Sequence, residues 1–384
     1  MKARMFTMFV LVVGLALVLT WAVAAQRPEP PVAPQRNEPP SQPALAGDWD
    51  GGKPLPQRVA PADMSNQAAS SAVPLGQPGL SFRYLRTFGE MEVAYFDDPD
   101  HLNRPYGVGT DGIHVWIAEC DGRRALKYAS DGTFLMQIGK AGFRDFAGTT
   151  LNCLTDVAVD SNGNIWVVDQ WAQHVIKFDS SGSRVSELGV TWNPGTSNDR
   201  FNQPYSIAFD SAGNIYVSDS GNYRIQVFDS SETYVTTIGE TGVPGSDNAH
   251  FNTPRHIAVD SNNLLYVADT DNHRIQIFDV SNLSYIAYIT TIGVPGESGS
   301  DSAHFKLPKG VAVDVTRGKI YVADDGNWRV QMFDYTTRGY LETTGFIGET
   351  EDVVVDSVGN LYVADDWQTE VRQYDIGIHG WGPF

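Results

Sequence analysis

The residues best suited to bind a ligand stand at one repeated point of the sequence, one or two positions after a recurring Pro or its equivalent. In six successive units this point carries different polar, charged and aromatic side chains: Tyr106, Asp156, Tyr205, Arg255, His256, Lys309, Glu351 and Asp352. Groups of these types form a ligand site when they line one concavity. The alternative is that these residues bind no ligand and that their opposite charges pair with one another around a water-filled axis.

The unit that carries these residues is repeated about six times between residues 81 and 384. Its clearest copies are FNQPYSIAFDSAGNIYVSDSGNYRIQVFD, FNTPRHIAVDSNNLLYVADTDNHRIQIFD and FKLPKGVAVDVTRGKIYVADDGNWRVQMFD, from Phe201, Phe251 and Phe305. Each copy reads as four strands with period-two alternation, and Asp-Ser-x-Gly-Asn suits a tight turn. A period of roughly 40 to 54 residues without a helical stretch is typical of propeller blades. We therefore predict an all-β, six-bladed β-propeller of four-stranded antiparallel blades.

The last unit lacks a fourth strand of its own, because IGIHGWGPF is too rich in Gly and Pro. Upstream of the first unit, FRYLRTFG at residues 82–89 matches the fourth-strand segments YVTTIG and FLMQIG. We predict that this N-terminal segment completes the sixth blade, covers its open edge and closes the ring.

The repeated pattern F-N-x-P-x-x-I-A-V-D, N-I-Y-V-A-D, N-x-R-I-Q-x-F-D and I-G resembles the NHL repeat, and the resemblance covers about four fifths of the chain. NHL repeats build six-bladed propellers. They serve as extracellular sensor domains, RNA-binding modules, protein-interaction platforms and a peptide-amidating lyase, so the resemblance implies a fold rather than one function.

The NHL-type lyase holds zinc with histidines directly after the recurring Pro. The matching positions here are Tyr106, Thr155, Tyr205, Arg255, Lys309 and Glu351, and none of them is His. His256 stands one position later. The sequence also lacks H-E-x-x-H, G-x-S-x-G, C-x-x-C and Walker patterns. These observations predict no metal site and argue against lyase activity.

A second group of unusual residues follows the second strand of each unit. Units three to five have Gly or Asp before a recurring Asn, whereas units two and six carry Trp171 and Trp367 there. A closed ring would place blades six, one and two side by side, so these indoles would share a sector with Asp121 and Asp366. Such a sector suits stacking on sugars or peptide aromatics, or cation–π contact. Alternatively, each Trp packs over its own blade.

The chain has two cysteines, Cys120 after the second strand of blade one and Cys153 in the connection into blade two. In a propeller these two loops share a face and the blades are neighbours. We therefore predict a disulfide between Cys120 and Cys153, with two separate thiols as the alternative.

The N-terminal region has the layout of an export signal. Lys2 and Arg4 precede an apolar run that ends in small residues, so residues 1–25 are predicted to be a signal peptide or a membrane anchor. Residues 26–80 are rich in Pro, Gln, Ser and Ala, which predicts a disordered linker before the propeller at 81–384. The propeller would then be secreted, periplasmic or held at the cell surface, with membrane attachment only through its N-terminal segment.

The charge of the chain limits the classes of partner that it can bind. The formal net charge is −19, and residues 1–80 hold six of the 27 basic and five of the 46 acidic residues. The predicted propeller therefore keeps 21 basic against 41 acidic residues. A field of this sign repels phosphate backbones and excludes nucleic acid as the expected partner.

Together these features favour a non-enzymatic, extracytoplasmic binding or scaffold propeller. It would recognise a protein, peptide or glycan on the face carrying Tyr106, Trp171, Tyr205, Arg255, His256, Lys309 and Trp367. The alternative is a metal-dependent lyase or lactonase-like hydrolase with its site at the central channel. No cofactor is expected, and a calcium ion in the channel would be structural.

Overall fold

The computed structural model of the protein describes residues 49–50, 53–54, 82–88, 99–140 and 151–376. The chain divides into two units, residues 1–66 and 67–384. In the first unit the described strands are β1 (Trp49–Asp50) and β2 (Lys53–Pro54), which pair antiparallel. The predicted signal or anchor and most of the predicted linker lie outside the described residues. No helix in the described part of the chain is long and apolar enough to cross a membrane.

The second unit is a six-bladed β-propeller of four-stranded antiparallel sheets, as predicted. Within each blade the strands follow one another from the channel outward. Blade one contains β4 (Pro105–Thr110), β5 (His114–Glu119), β6 (Arg124–Ala129) and β7 (Phe134–Gly139). Blade two contains β8 (Leu154–Val159), β9 (Ile165–Asp169), β10 (His174–Phe178) and β11 (Arg184–Gly189).

The next three blades repeat this order. Blade three contains β12 (Pro204–Phe209), β13 (Ile215–Asp219), β14 (Arg224–Phe228) and β15 (Tyr234–Ile238). Blade four contains β16 (Pro254–Val259), β17 (Leu264–Asp269), β18 (Arg274–Asp279) and β19 (Ala287–Ile292). Blade five contains β20 (Pro308–Asp314), β21 (Lys319–Asp324), β22 (Arg329–Asp334) and β23 (Tyr340–Thr343).

The sixth blade confirms the predicted closure. Its three C-terminal strands are β24 (Thr350–Val355), β25 (Asn360–Asp365) and β26 (Glu370–Asp375), and its outer strand is the N-terminal β3 (Arg83–Phe88). β3 pairs antiparallel with β26, with Phe88 opposite Val371. The innermost strands of consecutive blades contact one another around the whole ring, including β24 against β4.

The hydrophobic core is divided into six clusters, one between each pair of neighbouring blades. The cluster between blades one and two packs Trp116, Ile138 and Leu151 of one blade against residues such as Val157 and Val167 of the next. The other interfaces repeat this arrangement, and Phe88 of β3 belongs to the cluster between blades six and one. Because each blade buries one sheet face only against its neighbour, the ring must close for every face to be covered.

The repeated Asp after each first strand forms the predicted turn. Asp210 Oδ1 accepts the backbone N–H groups of Ala212 and Asn214, and Gly213 has a φ of 81°. The Tyr216 hydroxyl then donates to Asp210 Oδ2 at 3.0 Å. The repeated Asp therefore stabilises the turn and also accepts a hydrogen bond from a side chain of the second strand.

The repeated Asp and Arg around the second connection form ion pairs. Arg274 Nε lies 2.7 Å from Asp269 Oδ2, and both side chains are fully buried. Arg224 with Asp219 and Arg329 with Asp324 repeat the pair. In these three blades the connection is a single 3₁₀ turn, namely η1 (Ser220–Asn222), η2 (Thr270–Asn272) and η3 (Asp325–Asn327).

All six innermost strands begin with a break in register. In β16 the pairing with β17 shifts between Pro254 and Ile257, and β4, β8, β12, β20 and β24 have the same irregularity. A bulge re-aims side chains at the start of a strand. Here it allows two successive residues after the recurring Pro position to face the channel region.

Candidate functional site

The innermost strands begin at the face that also holds the connections from second to third strands, and we call it the top face. A layer of paired charges lies at the channel there. The Tyr205 hydroxyl donates to Glu351 Oε2 at 2.9 Å, and Arg255 Nη1 donates to the Tyr205 oxygen at 3.0 Å. Lys309 Nζ donates to Glu351 Oε1 and lies 3.0 Å from Asp325 Oδ2. Residues of blades three to six thus close one network.

These contacts set the ionisation of the layer. Burial alone would raise the pKa of Glu351, but the charges of Lys309 and Arg255 lower it to about 2. Burial also opposes the charge of Lys309, yet Asp325 and Glu351 hold its pKa well above the usual range. Asp325 itself is desolvated, and its pKa rises to about 7. The buried Lys309–Glu351 pair is therefore fully charged at neutral pH.

Arg104 joins Tyr106 to the acidic side chains of blades one and six. It donates to the Tyr106 hydroxyl, and its Nη atoms lie 3.7 Å from Asp121 Oδ2 and 3.6 Å from Asp366 Oδ2. Burial, followed by the charge of Glu351, raises the pKa of Asp366 well above its usual value. Asp366 Oδ1 has no hydrogen-bond partner among the described residues. The top of the channel is thus a closed, internally paired layer rather than an open mouth.

Below this layer, three titratable side chains from alternate blades meet near the axis. Ligand atoms of Asp156, His256 and Asp352 all lie within 4.8 Å of one another. His256 Nδ1 is 3.3 Å from Asp352 Oδ1 and 4.0 Å from Asp156 Oδ2. All three residues are buried, with His256 only 2% exposed, and His256 Nε2 has no hydrogen-bond partner among the described residues.

Burial also sets the protonation of this trio. Burial lowers the pKa of His256 to about 3, so its imidazole is neutral. Burial raises the pKa of Asp156 to about 6, although Ser206 Oγ and the Ile207 and Val157 N–H groups donate to its carboxylate. Burial and the neighbouring Asp156 raise the pKa of Asp352 well above its usual value. The trio is therefore an anionic site with a neutral nitrogen donor.

A cavity of about 290 Å³ reaches the trio from the far ends of the innermost strands. Its lining includes Asp156, His256 and Asp352 together with apolar residues of all six blades, such as Val157, Ile257 and Val353. The cavity thus has an apolar wall and a polar floor, an arrangement found in small-ligand and ion sites.

The outer part of the top face is aromatic and acidic. Trp171 and Trp328 are 41% and 49% exposed, Trp192 is also exposed, and Trp367 is half-buried. The Trp328 and Phe346 rings stack edge-on at 5.5 Å. All four indoles follow a second or a fourth strand, so they share this face. Nearby connections carry strongly exposed carboxylates: Glu240, Asp247, Glu297 and Asp301.

The disulfide between Cys120 and Cys153 is present and confirms the predicted pairing. In other blades the residue equivalent to Cys120 hydrogen-bonds to the next blade instead: Thr270 Oγ1 donates to the Pro308 carbonyl at 2.8 Å, and Ser220 Oγ donates to that of Pro254. The bridge thus replaces a repeated contact between blades with a covalent one.

The predicted ring of channel residues is divided into two layers in the structure. Tyr106, Tyr205, Arg255, Lys309 and Glu351 belong to the upper, paired layer. Asp156, His256 and Asp352 form the lower one, and Trp171 and Trp367 lie farther out on the same face. Asp156, His256 and Asp352 belong to the predicted channel ring, but the expectation of no metal site considered only the positions directly after Pro, where the NHL-type lyase has its histidines. The next position alone shows the alternation Gly107, Asp156, Ser206, His256, Gly310 and Asp352.

Comparisons with known proteins agree with this architecture. The NHL repeat family matches residues 201–228 and 251–278. No curated protein matches the chain. A streptogramin B lyase structure superposes with a TM-score of 0.52 at 14% identity, covering 77% of this chain and 98% of the lyase.

Two structures from Bacteroides are similar at the same level. A protein of unknown function from Bacteroides thetaiotaomicron has a TM-score of 0.58 at 16% identity and covers 77% of this chain and 76% of its own. An auxiliary nutrient binding protein from Bacteroides ovatus has a TM-score of 0.57 at 12% identity and covers 77% of both chains. At these identities the likeness is one of fold.

Proposed function

We propose that this chain, a six-bladed propeller built from NHL repeats, is a non-enzymatic binding protein that holds a protein or glycan partner on its top face. The main support for this proposal is that most of the described tryptophan side chains lie on the top face. Among the described side chains, Trp116 and Trp166 are buried in the core, whereas Trp171, Trp192, Trp328 and Trp367 all reach the top face. Tryptophan is the residue type most enriched at binding hot spots.

The charge of the same face supports a cationic protein surface over other partners. Glu240, Asp247, Glu297 and Asp301 have side chains more than 60% exposed, and they rise from the connections into blades four and five. Carboxylates beside exposed indoles suit Lys and Arg, through ion pairing and cation–π contact. Phosphate backbones would be repelled, which again disfavours nucleic acid.

We place this binding function outside the cytoplasm. The Cys120–Cys153 disulfide favours an oxidising compartment. The charged, apolar and small-residue layout of residues 1–25 suits a signal peptide or anchor, and residues 26–80 suit a linker. An auxiliary nutrient binding protein with the same fold is in keeping with a binding role.

The binding proposal is tested by substituting the indoles. Trp171→Ala combined with Trp328→Ala should weaken capture of envelope proteins, or of members of a glycan panel, by at least about 30-fold, because even one hot-spot indole contributes about 2 kcal/mol or more. The matched control is Tyr285→Ala, an exposed aromatic residue in the connection between β18 and β19 on the opposite face. Equal binding by the double variant and the wild type, with both folded, would refute the proposal.

A second candidate function, a metal-dependent lyase or hydrolase with its site in the channel, is favoured by one observation. Asp156, His256 and Asp352 meet at the floor of a cavity large enough for a small substrate. Turnover of lactone or ester substrates by the metal-loaded chain, abolished by Asp352→Asn, would replace the binding proposal with this one.

A further inference from the structure

Alternate blades contribute different residue types to the lower channel layer. At the second position after the recurring Pro position, blades two, four and six carry Asp156, His256 and Asp352. Blades one, three and five carry the small residues Gly107, Ser206 and Gly310. A Cβ at Gly310 would lie 2.8 Å from the Asp352 Cα and 3.0 Å from its Oδ1, and one at Gly107 would lie 2.6 Å from the Asp156 Cα. The small residues therefore leave the space in which the large polar ones sit.

From this threefold arrangement we infer that Asp156, His256 and Asp352 bind one divalent transition-metal ion, best matched by zinc, on the channel axis. Tetrahedral zinc with bonds of about 2.1 Å separates its ligand atoms by about 3.4 Å. His256 Nδ1 and Asp352 Oδ1 stand at 3.3 Å, and Asp156 Oδ2 is 4.0 Å from His256 Nδ1. All three ligand atoms lie within 4.8 Å of one another, so binding requires Asp156 to move toward the axis.

The surroundings of the trio support an ion rather than a simple buried cluster. Two buried carboxylates face the same space, and the nitrogen nearest to both is His256 Nδ1, at 3.3 Å from Asp352 Oδ1 and 4.0 Å from Asp156 Oδ2. A divalent ion would neutralise both carboxylates and take the imidazole lone pair.

Neighbouring groups already orient the ligands. Ser206 Oγ donates to Asp156 Oδ2 at 2.7 Å, and the Val108 N–H donates to Asp352 Oδ2 at 3.0 Å. Such outer contacts fix the direction of ligating carboxylates. The cavity below the trio provides a route for the ion and leaves room for water at the remaining coordination position.

The donor set decides which metal fits. Calcium prefers six to eight oxygen ligands, whereas one imidazole and two carboxylates match zinc. The site also differs from that of the NHL-type lyase, because its residues stand one position later in each blade. The inference concerns the ion alone and holds whether or not the top face binds a partner.

The full chain, stripped of metal with a chelator, should bind one zinc ion per molecule in a calorimetric titration and melt at a higher temperature once loaded. Asp156→Asn, His256→Gln and Asp352→Asn should each weaken zinc binding by at least about tenfold, because loss of an outer-shell contact alone costs about 10- to 100-fold. Asp352→Asn keeps the shape of the side chain and removes one of two like charges, so this variant is expected to fold.

The control removes the surface histidines that also face carboxylates. His250 Nδ1 and His304 Nδ1 each lie 2.7 Å from an exposed Asp, so the double variant His250→Gln with His304→Gln measures weak surface binding. This variant should keep the single tight site, as should Trp171→Ala with Trp328→Ala. Fewer than one zinc ion per ten chains, unchanged affinity in Asp352→Asn, or displacement of zinc by millimolar calcium would overturn the inference.

Discussion

At the scale of single residues, the Asp that ends the second strand of blades two to six shows how neighbours moderate the effect of burial on a carboxylate. Burial raises the pKa of Asp219, Asp269 and Asp324 even though each is paired. In blades three to five, Asp219, Asp269 and Asp324 each receive an Arg Nε at 2.7 to 2.8 Å. In blade six, Glu370 stands in place of that Arg. Among the described cations Asp365 has only Arg372, at 3.5 Å, and its Oδ1 accepts the Gln368 N–H at 3.0 Å. Asp365 Oδ2 has no hydrogen-bond partner among the described residues, and burial raises its pKa to about 7.

This raised pKa predicts a pH dependence of stability. The folded state holds the Asp365 proton more tightly than the unfolded state, so the free energy of unfolding should fall as pH rises from about 4 to about 7. In Asp365→Asn the free energy of unfolding should fall by roughly 1 to 4 kcal/mol less over this pH range, because each pKa unit corresponds to about 1.4 kcal/mol. Urea unfolding of both proteins at pH 4.5 and pH 8 measures the difference.

The control for this prediction is Asp324→Asn. Asp324 is paired with Arg329 and also accepts hydrogen bonds from Asn327 and the Lys306 N–H, so its substitution should destabilise the protein at pH 8. Parallel pH profiles for the wild type and Asp365→Asn would contradict the role assigned to the Asp365 carboxylate.

At the scale of elements, the N-terminal strand β3 joins the two ends of the ring. Phe88 is buried between blades six and one, in edge-on contact with Tyr128 at 5.6 Å. Phe82 contacts Tyr321 and Tyr374 at 6.3 Å, and Arg83 pairs with Asp375 at 2.8 Å. One strand therefore covers an edge of β26 and fills two interfaces between blades.

Removing this strand should destabilise the whole propeller. Deletion of residues 1–89 exposes the β26 edge and removes the Phe88 contacts, and the loss of one buried Phe side chain alone costs about 3 to 5 kcal/mol. Deletion of residues 1–75 leaves β3 in place and is the matched control. Thermal melts should show a clear drop for the longer deletion only. Equal melting temperatures would show that β3 does not close the ring.

At the scale of the whole molecule, closure makes blades five, six, one and two consecutive and gathers their indoles on one face. Trp328 of blade five is more exposed than Trp171 of blade two, although it stands in a blade with the ordinary pattern. We therefore extend the proposed binding sector from blades six, one and two to blade five, so that it includes Trp328.

The charge of the molecule makes the proposed binding sensitive to salt. Exposed charges more than about 8 Å apart are screened at physiological ionic strength, so a partner attracted by the acidic connections should bind several-fold more weakly at 0.5 M than at 0.05 M NaCl. Glu240→Gln with Glu297→Gln should flatten this dependence and leave thermal stability unchanged, because both side chains are mostly exposed. A salt dependence identical to that of the wild type would argue against carboxylate-guided binding.

The sequence by itself determined the blades, their number, the closing strand, the turns and the disulfide. Each of these rests on local rules that repeat along the chain. Period-two alternation defines strands, Asp and Gly define turns, and the repeat places Cys120 and Cys153 in neighbouring loops.

Only the tertiary structure decided how the channel residues divide into layers. The register break at the start of each innermost strand turns two successive side chains toward the channel region, and ring closure brings Asp156, His256 and Asp352 together although they are about 100 residues apart in sequence. Lys309 and Arg255 lower the pKa of Glu351, whereas burial and the neighbouring Asp156 raise the pKa of Asp352. Pairing and desolvation are properties of the closed ring, and no single repeat contains them.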